Sequence, residues 1–143
     1  MSKGNTFEAD LLKLVFQAVA IANIADNAAS GPLTNLYVTL HTGDPGEAGT
    51  QETSECDYTS YDRVAVVRTS SGWAIAANEI SNVAAIEFPE CTGGSNTATH
   101  VGVGTAVSGA GKLLYSGALS SSLAISNGIT PSFAIGELDI TED

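Results

Sequence analysis

His41, Asp44 and Glu47 lie within seven positions of one another, an imidazole and two carboxylates that could in principle hold a divalent cation. Their spacing matches no helical or loop ligand pattern, and Pro45 between them marks a turn. Asp44 is therefore expected to bond local backbone, and no metal is expected. His100 precedes a glycine-spaced stretch with no Ser or Cys in a nucleophile motif near it, so pairing it with Cys56 or Cys91 as a catalytic couple would be arbitrary. The glycine pairs Gly102-Val103-Gly104 and Gly109-Ala110-Gly111 do not continue to GxGxxG before a helix, nor to a lysine that could reach phosphate. They read as tight packing and turns. The acidic end, Glu137, Asp139, Glu142 and Asp143, reads as a solvated tail. These residues give no catalytic constellation and no cofactor site, and the chain is expected not to be an enzyme.

The elements that carry these residues turn on Leu36 to Gly49, a strand running into a loop. Leu36, Val38 and Leu40 alternate with Tyr37, Thr39 and His41, the period of a half-buried strand. Asp44-Pro45-Gly46 then turns the chain, since Pro45 pre-sets φ and Gly46 accepts angles that side chains resist. Gly43 to Tyr61 is longer than a usual connection, a length often associated with function or mobility. Upstream, Asn5 or Thr6 can cap a helix whose first turn carries Glu8 and Asp10, expected to run to about Asp26 and to break at Gly31-Pro32. Phe7, Leu11, Leu14, Val15, Ala18, Ala22 and Ala25 make one apolar face, while Leu12, Phe16, Val19 and Ile21 fall outside it. Either the domain covers this wider arc, or the helix is an assembly contact.

Downstream the pattern is of short strands and turns. Arg63 to Thr69 and Trp73 to Ala76 have the spacing of a hairpin about Ser70-Ser71-Gly72. Val83 to Phe88, Thr97 to Ala106, Lys112 to Ala118, Leu119 to Ile125 and Phe133 to Ile140 follow. The last switches its apolar parity at Gly136, as a bulge would, and Trp73 is expected in the core. The fold expected is mainly β, an antiparallel jelly-roll-type sandwich preceded by one N-terminal α-helix. The 143 residues suit a single domain, with 1–32 helical and 33–143 forming the sandwich.

Sixteen acidic against five basic residues leave a formal charge of −11, which repels nucleic acid phosphates and anionic membranes. Neither is expected as a partner. Cys56 and Cys91, without a CxxC, read as reduced thiols of a protein made in a cytoplasm. Ala18-Val19-Ala20 resembles a signal cleavage site, but Glu8 and Asp10 sit where a signal peptide needs positive charge. Leu11 to Ile24 is also too short to span a bilayer. A soluble chain without a signal is expected.

Several phrases together carry a resemblance: Leu36-Tyr37 to His41-Thr42, Asp44-Pro45-Gly46-Glu47, Gln51-Glu52-Thr53, Arg63-Val64-Ala65-Val66, Gly72-Trp73, Gly109 to Tyr115 and Ile140 to Asp143. They resemble small tailed-phage structural proteins, in particular the jelly-roll capsid cement, or decoration, proteins often labelled tail-fibre-like. The resemblance implies a structural virion protein, made in the host cytoplasm, that binds the outside of the capsid and stabilises the shell. It implies the major capsid protein and the chain itself, as a dimer or trimer, as partners. A tail or tail-fibre component is the alternative. A small carbohydrate-binding jelly roll is a third, weakened by the low aromatic content. The contacts expected are Leu12, Phe16 and Val19 on the helix and Asp44, Pro45, Gly46 and Glu47 on the loop.

Overall fold

The computed structural model describes residues 5–21 and 33–142. They form one helix, α1 (Asn5–Gln17), and nine strands: β1 (Asn35–His41), β2 (Val64–Val67), β3 (Trp73–Ala76), β4 (Glu79–Asn82), β5 (Ile86–Glu87), β6 (Ser95–Gly104), β7 (Leu113–Ser126), β8 (Ser132–Phe133) and β9 (Asp139–Thr141). The chain is mainly β with antiparallel sheets and an N-terminal helix, the class expected of an antiparallel sandwich preceded by a helix. Three sheets are present among the described residues, in the orders β2-β1-β6-β7, β3-β4-β9 and β5-β8. The contacts divide the chain into two compact units. One holds α1, Val67–Ile86 and the segment from Phe133 onward; the other holds Leu36–Val66 and Glu87–Ser132.

In the first unit, α1 lies against β3 and β4. Leu12 and Phe16 are fully buried, and the Phe16 ring meets Trp73 edge to face with centroids 4.7 Å apart. This corrects the expectation that Leu12 and Phe16 are outward contacts. A three-stranded sheet cannot hide its own apolar face, and this side of the helix covers it. Val19 remains 47% exposed. The helix also stops before the expected Asp26, because Ala18 turns into the left-handed region at φ 56° and the Val19 N–H reaches back to the Lys13 carbonyl. Arg68 holds that end. Its guanidinium donates to the carbonyls of Leu14 (2.7 Å), Val15 (2.5 Å) and Leu33 (2.7 Å), placing a cation where the helix dipole is negative. The expected continuation through Ala22, Ile24, Ala25 and Asp26, and the break at Gly31-Pro32, lie outside the described residues.

The expected hairpin about Ser70-Gly72 is not formed. β3 pairs instead with β4, Trp73 opposite Asn82 and Ala76 opposite Glu79, around Ala77-Asn78 with Ala77 at φ 56°. β9 completes the sheet, with Ile80 opposite Ile140. Asn82, 1% exposed, ties the unit together: its amide donates to the carbonyls of Ala84 and Ala134 at 2.8 Å, and its oxygen accepts from the Leu138 N–H. Gly136, at φ 74°, belongs to a turn between β8 and β9 rather than to a bulge within one strand.

In the second unit, β1 and β6 pair from Tyr37–Gly104 to His41–His100, and β7 pairs with β6 on the other side. Val38 and Leu40 are buried as their alternation predicts, but Thr39 and His41 are buried too. A half-buried strand was expected. The loop that leaves β1 folds back over its second face, where Thr53 meets His41 and Gln51 meets Gly104.

Candidate interaction surface

The loop begins where Asp44 Oδ1 accepts the Gly46 N–H at 2.8 Å, an Asx-turn of the kind Asp favours before glycine. Gly46 has φ +68°, and a Cβ on Gly49 would stand 2.1 Å from the Pro45 carbonyl oxygen, so the turn requires glycine at both ends. Beyond it, Gln51 is fully buried. Its Oε1 accepts the Ala106 N–H at 2.9 Å, its Nε2 donates to the Ala106 carbonyl, and its backbone N–H donates to Ala110. A Cβ at Gly104 or Gly111 would fall 2.2 Å from the Gln51 side chain, and one at Gly102 would collide with Thr39 Oγ1 and His41 Nε2. The glycines are thus the floor on which this loop lies.

Glu55 and Arg63 close the loop's base through two bonds of 2.7 Å, with side chains only 14% and 4% exposed. The Arg63 guanidinium also donates to the Ala106 and Gly109 carbonyls. Hydrogen bonding to Glu55 raises the Arg63 pKa, so the cation is fixed. Tyr61 donates its hydroxyl proton to Glu55 and accepts the Leu40 N–H; burial pushes its pKa up, keeping that proton in place. His41 lies beneath. A carbonyl can only accept, so Nδ1 carries a proton and donates to Thr53 at 2.9 Å, leaving Nε2 to accept from Thr39 Oγ1 at 2.8 Å. Burial lowers the His41 pKa, consistent with a neutral ring. Both nitrogens are occupied, so His41 does not join Asp44 and Glu47 in a metal site.

The tip of the loop stands beside the start of β7. Asp44, Gly46, Glu47 and Gly49 on one side and Leu113, Leu114, Tyr115 and Ser116 on the other line an open groove of about 510 Å³. Asp44, Gly46 and Glu47 are exposed on it, whereas Pro45, also expected as a contact, is buried. Leu12, Phe16 and Val19 belong to the other unit. Sequence reasoning missed Gln51, Glu55, Arg63 and Leu113–Ser116. The signal for the first three was present: glycines at 104 and 111 that need something above them, and an arginine among acidic neighbours.

A family model described as podophage GP4 fiber I protein gp80 matches residues 4–141. The chain belongs to that family. A comparison with curated proteins finds no match. As a member of the podophage fiber I family, the chain is a phage structural protein, the level at which the resemblance seen in the sequence holds. The family description names a fibre, where the sequence reading put capsid cement first.

Proposed function

We propose that the chain is a non-enzymatic fibre component of a podophage particle, a rigid module that joins other virion proteins through its surface. The observation that carries this reading is the family match over 138 of the 143 residues, 4 through 141 inclusive. The build of the second unit supports it. Its long loop is pinned by Gln51, Glu55, Arg63 and His41, so it presents a fixed shape and loses little entropy on docking. The partners are the chain itself and neighbouring virion proteins. Nucleic acid and membrane are disfavoured by the charge of −11. Decoration of the capsid exterior, bound to the major capsid protein, is the second reading; it rests on the phrases from Leu36 onward and on an acidic surface that suits the outside of a shell. A reconstruction of the intact particle tests both. Density for this chain on fibres at the tail supports the proposal, and density spread over the shell replaces it with the cement role.

A further inference from the structure

The groove beside β7 has features that the fibre reading does not use. Four consecutive residues, Leu113–Ser116, form one wall of the groove, so it runs along the start of β7. β7 is the outermost strand of its sheet among the described residues, bonded to β6 alone. Alternate residues of its regular part therefore turn their N–H and C=O groups away from β6, to the open side of the sheet. Such edges are usually guarded by charge, proline or bulges; the 14 residues of β7 include no charge and no proline, and its pairing irregularities lie outside Tyr115–Ala118. The pairing with β6 shifts register twice, between Leu113 and Tyr115 and between Ala118 and Leu123, so the regular edge runs from Tyr115 to Ala118.

We propose that this edge takes up an extended, basic segment of a partner protein, which adds as a further strand along Tyr115–Ala118 and places a Lys or Arg beside Asp44 and Glu47. The backbone edge supplies the hydrogen bonds of strand addition. The half-buried Leu113, Leu114 and Tyr115 supply apolar contact, and the exposed carboxylates of Asp44 and Glu47 select positive charge. Gly46 and Gly49 leave that wall without bulky side chains. Charge decides against a second copy as the occupant, because it would bring another −11 to an acidic rim.

The probe is the capped pentapeptide Thr-Lys-Val-Lys-Thr, titrated into the isotope-labelled full chain and followed by amide NMR shifts. Expected are shifts confined to Leu113–Ala118 and Asp44–Gly49, binding weakened about fivefold by Glu47→Lys, and loss of binding when the peptide nitrogens are methylated. Shifts scattered over the acidic surface, or equal binding of the methylated peptide, would overturn the proposal. So would protection of the β7 edge amides in a dimer formed without peptide, which would give the edge to a second copy. None of these outcomes depends on where the chain sits on the particle, so failure here is distinguishable from failure of the fibre reading.

Discussion

At the scale of single residues, polar side chains buried under the loop govern the second unit. His41 is the one with a pH signature. Its folded pKa lies below the ordinary value of 6.5, so above that pH both folded and unfolded forms are neutral and it contributes no pH dependence. As pH falls through 6.5 the unfolded chain takes up a proton that the folded chain resists, and stability is lost. Thermal melts between pH 7.5 and 5 should therefore fall less steeply for His41→Asn than for the parent chain; parallel slopes would remove His41 as a cause. Gln51→Ala should cost about 1–3 kcal/mol in denaturant unfolding, because it leaves the Ala106 N–H without its acceptor while the Ala106 carbonyl keeps only its bond from Arg63. The thiols report on burial. Cys56, pushed up to about 12 by desolvation, and Cys91 are both buried and unpaired with each other. A thiol reagent at neutral pH should leave the native chain unmodified and label two thiols per chain once it is denatured. The sequence announced this site only indirectly. Gly102 and Gly104 predicted a close approach to their strand, but which side chains make it depends on a register between segments more than fifty residues apart, which periodicity does not encode.

At the scale of elements, strand types were readable and strand partners were not. The alternation in Leu36–His41 places β1 correctly, yet the same alternation missed that Thr39 and His41 are covered, since a period of two says nothing about a loop returning over the polar face. β4 was missed because Glu79-Ile80-Ser81-Asn82 has one large apolar residue, and the hairpin was drawn to β2 instead. The helix was legible as a helix and misjudged as a surface. Its arc exceeds one face because Leu12 and Phe16 fill the unit's core, so Phe16→Asp should unfold that unit rather than merely detach a partner. Phe16→Ala should cost about 3–5 kcal/mol. Arg68 gives a sharper test, since nothing local marks it as a cap. Arg68→Met keeps the aliphatic stem but leaves the Leu14 and Val15 carbonyls without their charged donor, at a cost of roughly 2 kcal/mol. Hydrogen exchange should show α1 opening more often in that variant while the amides of β1 and β6 keep their protection. Equal loss across β1 and β6 would mean that Arg68 acts on the fold as a whole.

At the scale of the whole molecule, strand and turn patterning and the family resemblance were the more reliable guides. Short strands and frequent turns led to a mainly β fold, the resemblance led to a phage structural protein, and the fold class and the phage family agree with the two. Composition could not assign a place on the particle, because an acidic, rigid β module serves equally on a shell or on a fibre. The two roles differ in what they do to the free energy of the capsid. A cement protein binds only the assembled shell and so raises the heat needed to open it. A fibre component makes its contacts away from the shell wall, and its loss leaves shell opening unchanged while removing what the fibre reaches. Particles assembled without this chain should therefore release DNA at the same temperature as complete particles, measured with a dye that reports free DNA, and should adsorb to host cells far more slowly. Unchanged adsorption combined with release at a lower temperature would make the chain a capsid stabiliser and end the fibre reading.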